Sequence, residues 1–164
     1  MNDGVDLFNA LSTEEAERRL YSCFANPAWA ARVAARRPYN DLTALLVAAE
    51  SAWTVLEPAD WLEAFAAHPR IGESGGHSPA VSEREQSQIR QASDDTLAAL
   101  AAENRLYEDR FGHVFLISAS GRTADEILGE MRRRMLNDSA TELQVAAGEQ
   151  RKIARLRLEQ MMKT

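Results

Sequence analysis

The chain has 164 residues, of which 45% are hydrophobic and 27% charged, which is typical of one globular domain with its own core. A formal net charge of −6 argues against a nucleic-acid partner, because such binding depends on a basic face that neutralises phosphates. No apolar run is long enough to span a membrane, and the termini show neither a signal-peptide pattern nor a peroxisomal tripeptide. These features predict a cytoplasmic protein.

Four helices are predicted before residue 69, in a chain that is rich in alanine and poor in β-branched residues. Each begins at a residue type that favours helix N-termini, and the first also shows the Ser-x-x-Glu spacing of a capping box. The fourth should end near His68, because Pro69 disfavours helical backbone in the residue before it. The expected starts are Ser12, Asn26 with Pro27, Asn40 or Asp41, and Pro58.

Four more helices are predicted after the Gly-rich residues 70–81, which form a loop by local sequence rules. Capping-box spacing recurs at the start of three of them, with a glutamate three residues after a serine or threonine. They are expected from Ser82 to about Gln91, after Ser93, from Thr123 to about Asn137, and from Ser139 onward.

Residues 111–117, with the sequence FGHVFLI, are a short apolar run that alone would indicate a buried strand. Since no second convincing strand is present to pair with it, we predict an extended connector packed in the core. Its backbone polar groups then need other partners, and a bound ligand is one option. The fold predicted from the whole pattern is all-α, a single compact domain over residues 1–164 with about seven or eight helices.

Two basic clusters, at residues 132–134 and 151–157, are interpreted as solvated faces near helix C-termini. Arg157 is different, because it lies one turn beyond Ile153, and Ile153 and Leu156 are expected to face the core. A buried arginine needs an anion, either in a structural ion pair or on a ligand. Arg155 should be exposed, and Cys23, the only cysteine, is interpreted as a small buried hydrophobe.

Chemistry-bearing side chains concentrate in two short motifs on either side of the loop. His68-Pro69-Arg70-Ile71-Gly72 ends the fourth predicted helix, and Ser82-Glu83-Arg84-Glu85-Gln86 begins the next. Imidazole titrates near neutrality and can both take and give a proton, so these residues suit acid–base chemistry on a small polar molecule. The two motifs in this order resemble the HPxIG and SxxEQ signature of the OHCU decarboxylases. Further likeness runs from RPYNDL to KIARLRL.

The resemblance implies a cofactor-independent decarboxylase that acts on 2-oxo-4-hydroxy-4-carboxy-5-ureidoimidazoline (OHCU) in urate breakdown. It implies an all-α fold, a small-molecule substrate and a homodimer. It also implies that His68 and Glu85 are catalytic and that Arg157 binds substrate charge. The other expected substrate contacts are Pro69, Ser82, Gln86 and the backbone of Phe115, Leu116 and Ile117.

Several alternatives remain open from the residues themselves. Ser82-x-x-Glu85 is also a good capping box, so its spacing alone does not distinguish catalysis from helix capping. A metal site, as in a metal-dependent hydrolase, would need His68, His77 and His113 to converge, but no two of them have helical metal-site spacing. His113 lies beside the expected substrate-contacting backbone and is a second candidate proton donor. A non-catalytic interaction module that uses loop 70–81 is the remaining alternative.

Overall fold

The computed structural model describes residues 3–72 and 84–163, and within these ranges it contains eight α-helices, one 3-10 helix and no strand. The predicted all-α class is confirmed. The helices are α1 (Asp3–Asn9), α2 (Thr13–Cys23), α3 (Pro27–Ala35), α4 (Leu42–Trp53), α5 (Pro58–Phe65), the 3-10 helix Ile89–Gln91, α6 (Asp94–Phe111), α7 (Ala124–Arg134) and α8 (Ser139–Met161). None of the described helices is long and apolar enough to cross a membrane.

Most helix starts follow the predicted capping chemistry. In five helices the side-chain oxygen of the N-cap residue accepts a hydrogen bond from the backbone N–H three residues later, which satisfies one free donor of the first turn. These N-caps are Ser12, Asn26, Asp41, Ser93 and Thr123.

The last helix begins at Ser139 as expected, but its predicted cap is wrong, the extent of the helix from Ser82 is wrong, and one helix was not predicted. The last helix is capped by Asp138, whose Oδ1 accepts from the Thr141 N–H at 2.7 Å, rather than by Ser139. After Arg84 and Glu85 the chain leaves the α-helix for a turn and a 3-10 helix, so the expected helix to Gln91 is interrupted. Helix α1 has no strong start signal in the sequence.

The chain divides into two compact units, Met1–Ala64 with Ile153–Thr164, and Phe65–Lys152. In the first unit Phe24 packs against Trp29 and Trp53, with ring centroids 5.3 and 4.9 Å apart. The Trp29 indole donates to the carbonyl of Ala49 at 3.0 Å, so its polar N–H is satisfied within the core. Cys23, which precedes Phe24, is also buried, as predicted.

Long-range polar contacts hold α1 in the first unit. The Asn9 side chain bonds both the carbonyl and the N–H of Tyr39, at 2.8 and 2.9 Å. Gly4 lies against the backbone of Met162, where a Cβ atom would sit 1.8 Å from the carbonyl oxygen. Only glycine allows this approach, so helix α1 depends on tertiary contacts more than on local signals.

The second unit has its own apolar core, built from the segment after α5, from α6, from the connector and from α7. The buried core residues are Ile71, Ile89, Leu100, Tyr107, Phe115, Ile117, Ala119, Ala124, Ile127, Leu128 and Met131. This core supports both the His68 segment and the connector.

Candidate active site

The HPRIG segment presents His68 at the end of a helix and anchors the residues that follow. Helix α5 ends at Phe65, and the His68 N–H donates to the Phe65 carbonyl at 3.1 Å. The His68 residue is half-buried. Arg70 Nε lies 3.0 Å from both carboxylate oxygens of Glu108 on α6. Because Ile71 is buried in the core, the segment is fixed on either side of its exposed Arg70.

The two motifs meet through Gly72 and Gln86. Gly72 has φ +88°, a left-handed conformation that favours glycine, and a side chain there would be strained. Its N–H donates to Gln86 Oε1 at 2.8 Å, across 14 residues of sequence. Gln86 is buried, and Glu85 beside it is half-buried. The glutamine predicted to contact substrate therefore also fastens the SxxEQ segment to the HPxIG turn, while Ser82 lies outside the described residues.

Gln150 on α8 contacts the His68 ring, although neither motif includes it. Its Oε1 lies 2.7 Å from His68 Nε2, although the two residues are 82 positions apart. The Gln150 side chain is fully buried, at 0% exposure, and its Nε2 has no hydrogen-bond partner among the residues described. A glutamine within an otherwise polar helical stretch gives no local signal of this contact.

Side chains from α7 and α8 form hydrogen bonds to two backbone groups, one in the connector and one directly after it. The carbonyl of Leu116 accepts from Arg134 Nη1 at 2.7 Å, and the Ser118 N–H donates to Glu149 Oε1 at 3.1 Å. Residues 114–119 form neither helix nor strand, and Phe115, Leu116 and Ile117 are buried, as predicted for the connector. Its predicted start is wrong, because Phe111 is the last residue of α6 and Gly112 is the C-cap. One carbonyl of the predicted substrate-contacting segment is thus already held by a cation.

Arg134 belongs to a buried ionic network, so the interpretation of residues 132–134 as a solvated face is wrong for this arginine. Its side chain is 1% exposed and that of Glu142 is 0% exposed. Arg134 Nε and Nη2 lie 2.9 and 2.6 Å from Glu142 Oε2, and the Tyr107 hydroxyl donates to the same oxygen at 2.5 Å. Burial, with the adjacent Glu142 carboxylate, raises the pKa of Tyr107 far above its usual value.

Aromatic rings pack around Phe115 and His113. The Arg134 guanidinium lies 4.3 Å from the centroid of the Phe115 ring, and Tyr107 meets the same ring edge-on at 5.2 Å. His113 is half-buried, with its ring 5.4 Å from Phe65, and its Nδ1 lies 3.0 Å from the Val114 carbonyl oxygen. The histidine considered as a second proton donor therefore packs in this aromatic cluster.

Arg157 lies in the first unit, near the end of α8. It is buried, at 5% exposure, as the sequence pattern predicted, and Ile153 is buried as well. Leu156 is 37% exposed, so the expectation that it faces the core is wrong. Arg155 is exposed and pairs with Glu159 at 3.0 Å.

No metal-binding group is formed by the side chains in residues 3–72 and 84–163, where three or more His, Cys, Asp or Glu residues do not converge. His68 and His113 have the separate contacts given above. His77, the third histidine of the metal hypothesis, lies outside the described residues.

The sequence of this chain matches the family model of the OHCU decarboxylases over residues 9–159. It is 34% identical over 155 residues to the Uric acid degradation bifunctional protein TTL of Arabidopsis thaliana, a match covering 90% of this chain and 48% of that protein. It is 35% identical over 144 residues to the Putative 2-oxo-4-hydroxy-4-carboxy-5-ureidoimidazoline decarboxylase of Homo sapiens, covering 84% and 82%. The chain thus spans about half the length of the plant relative.

Two solved structures are similar in fold. A crystal structure of OHCU decarboxylase in the presence of (S)-allantoin superposes with a TM-score of 0.78 at 32% identity, covering 90% of this chain and 99% of that one. A crystal structure of (S)-allantoin synthase gives a TM-score of 0.75 at 18% identity, covering 98% of this chain and 54% of that one. The second likeness concerns the fold alone.

Proposed function

Because this chain belongs to the OHCU decarboxylase family, we propose that it converts OHCU to (S)-allantoin and carbon dioxide in urate breakdown. The observation that carries the proposal is the junction of the two motifs, in which the Gly72 N–H donates to Gln86 Oε1 at 2.8 Å. This bond ties the segment that ends in Glu85 and Gln86 to the turn that follows His68. The solved relative in the presence of (S)-allantoin supports a small-molecule ligand of this chemistry.

The substrate itself contains the electron sink that this reaction needs. OHCU carries its carboxylate on a carbon next to a ring C=N group. When the bond to the carboxylate breaks, its electron pair moves into the C=N group, and carbon dioxide leaves. A proton delivered to one face of the resulting enol-type intermediate, with loss of the hydroxyl proton, then gives the carbonyl group of allantoin and fixes the S configuration. We therefore propose that no cofactor takes part, since the imine does what a bound electron sink does in other decarboxylases.

The acid–base work is assigned to His68 and Glu85. Imidazole exchanges a proton near neutral pH, and a carboxylate can receive that proton or hold the imidazolium. Acid–base assistance of this kind increases a reaction rate by about 10²–10⁴-fold. Positioning of the substrate carboxylate relative to the imine must therefore supply a comparable part of the rate increase.

Substrate orientation is assigned to polar groups on both motifs and to the connector. Ser82, Gln86 and the backbone of residues 115–117 are proposed to meet the ureido and ring edges, with Pro69 lining the site. Arg157, which is buried in the first unit, is proposed to bind an anionic group of the substrate through its planar guanidinium.

Three further features of the protein are proposed. The family match extends over residues 9–159, and we propose that the chain acts as one functional domain. We further propose a homodimer and a cytoplasmic location. Sedimentation of the purified chain and fractionation of the cells that express it are the direct measurements of these two features.

Circular dichroism of the allantoin product tests the proposed reaction. Urate oxidase and the hydrolase that acts after it generate OHCU from urate in the cuvette, and this protein is then added. We expect faster appearance of a signal from a single enantiomer, S, and no change in rate when a chelator is present. If the protein leaves both the rate and the enantiomeric composition unchanged, it is not the decarboxylase, and the interaction-module alternative gains support.

His68→Asn tests the acid–base assignment. Asparagine keeps polar side-chain atoms at position 68, just after α5, but cannot take up and release a proton near neutral pH. We expect nearly complete loss of acceleration, with helical content and Tm close to those of the unsubstituted chain. Wild-type turnover in a folded His68→Asn protein contradicts the assignment.

A further inference from the structure

The Gln150 amide is placed in a way that packing alone does not explain. The side chain is fully buried, and one of its two polar atoms, Nε2, has no hydrogen-bond partner among the described residues. A buried amide N–H without a partner is unfavourable, and an apolar side chain of similar size would avoid that cost. Within residues 3–72 and 84–163, the amide is used in the bond between Gln150 Oε1 and His68 Nε2, at 2.7 Å.

We propose that Gln150 is a positioning residue for the His68 imidazole. Its carbonyl oxygen accepts the Nε2–H of the ring, which fixes the ring orientation and selects the neutral tautomer protonated at Nε2. In that tautomer Nδ1 is the basic nitrogen, so proton exchange with the substrate is assigned to Nδ1. This inference rests on the proposed role of His68 in proton transfer.

The absence of charge on the amide is central to this role. A carboxylate at the same point would stabilise the imidazolium and raise the pKa of the ring, whereas an amide fixes the tautomer without placing a negative charge beside the ring. Of the charged residues near His68 and Gln150 in sequence, Arg70 pairs with Glu108, and Glu149 binds the Ser118 N–H and Lys152. Glu85 is the carboxylate assigned to work with His68 in the reaction.

Helix α8 thereby fixes two parts of the site with consecutive residues. Glu149 holds the connector through the Ser118 N–H at 3.1 Å, and Gln150 holds the imidazole at 2.7 Å. Both side chains are buried. The imidazole and the backbone next to the connector are therefore held by neighbouring residues of one helix.

The first test reads the imidazole directly and needs no turnover. Long-range ¹H–¹⁵N correlation spectra of the three histidine rings are recorded across pH, with the His68 signal identified by its loss in His68→Asn. We expect the tautomer protonated at Nε2 in the unsubstituted chain, and a mixture of tautomers in Gln150→Met. In Gln150→Glu we expect the His68 pKa to rise by about one unit or more.

Gln144→Glu is the matched control, because Gln144 lies on the same helix but is exposed, and it should leave the His68 signals in place. Identical His68 tautomer and pKa in the unsubstituted chain and in both Gln150 variants would overturn the proposal. Gln150→Glu also serves as the second variant if Gln150→Met fails to fold. Because these spectra involve no substrate, they decide the contact even if the proposed reaction is wrong.

The second test concerns turnover. Gln150→Met should lower kcat by about tenfold or more through misorientation of the ring, with KM changed by less than about twofold. Gln150→Glu should move the acidic limb of the pH–rate profile to higher pH, in step with the His68 pKa. If the His68 signals shift while kcat and the pH profile do not, Gln150 orders the ring without serving catalysis, and the catalytic part of the proposal is wrong.

Discussion

Breaking the buried pair of Arg134 and Glu142 is predicted to destabilise the second unit strongly. In Glu142→Leu the guanidinium, 1% exposed, loses its carboxylate, and the Tyr107 hydroxyl loses its acceptor. An unpaired buried charge of this kind costs about 3–5 kcal/mol. In a chain of 164 residues each kcal/mol corresponds to about 2–4 °C, so Tm should fall by roughly 10 °C.

The double variant Arg134→Met, Glu142→Leu separates the charge effect from the loss of contacts. Removing both charges should restore much of the stability lost in Glu142→Leu, because the desolvated arginine is gone. A residual loss of about 1–3 kcal/mol is expected from the Tyr107 hydroxyl, which stays buried without its acceptor. Activity should stay low, since the donor that holds the Leu116 carbonyl at 2.7 Å is missing.

Denaturant unfolding followed by circular dichroism measures these free energies, and Arg132→Met is the matched control. Arg132 lies on the same helix, is 58% exposed and pairs with Glu103 at 3.3 Å, so its loss should cost about 0–1 kcal/mol. Equal small losses for Glu142→Leu and Arg132→Met would refute the reasoning. A double variant that loses as much stability as Arg134→Met alone and Glu142→Leu alone added together would also refute this reasoning, because the two charges would then not be coupled.

Three other substitutions test individual assignments. Glu85→Gln should lower the free energy of unfolding by less than about 1 kcal/mol while activity collapses, and a less stable but fully active variant would assign Glu85 to the helix end alone. Arg157→Lys should weaken binding or turnover about tenfold or more, about 1.4 kcal/mol, whereas lower stability with unchanged kinetics indicates a structural ion pair. Asp138→Ala should lower Tm and Ser139→Ala should not, because the Thr141 N–H donates to the Asp138 carboxylate. The same hydrogen bond lowers the pKa of Asp138. A lowered pKa means that this stabilisation is present above the unfolded-state pKa and is lost as pH falls through the folded one, so the two variants should converge in acid.

The sequence predicted those parts of the fold whose causes are local. Asn26, Asp41 and Ser93 cap helices because their side chains reach a backbone N–H three residues away, and such a contact depends on little else. Pro69 limits helix α5 for the same kind of reason. These signals located seven of the described helices to within a few residues. The missing strand partner for residues 111–117 correctly indicated a connector without a strand, although Phe111 and Gly112 belong to the end of α6.

Contacts between distant residues could not be predicted from the pattern. Gln150 meets His68 across 82 positions, and Arg134 reaches the Leu116 carbonyl across 18. Neither residue differs locally from its exposed neighbours, as Arg132 and Arg133 on the same helix show. Burial of a charge or an amide is decided by which groups the rest of the chain brings to it, and a single sequence does not record that.

The Ser/Thr-x-x-Glu pattern shows this limit most directly, because one spacing leads to several outcomes. The Glu15 backbone N–H bonds Ser12, while the Glu15 carboxylate pairs with Arg18 and Arg19 on the helix surface. At the start of α8 the pattern is misleading, since Asp138 is the cap and Glu142 turns inward to Arg134 and Tyr107. The Ser/Thr-x-x-Glu spacing therefore indicates only that a glutamate lies in the first turn of a helix, and not what its carboxylate contacts. The role of Glu85 must be judged by what surrounds it, and the Gln86 bond places its segment against the turn that follows His68.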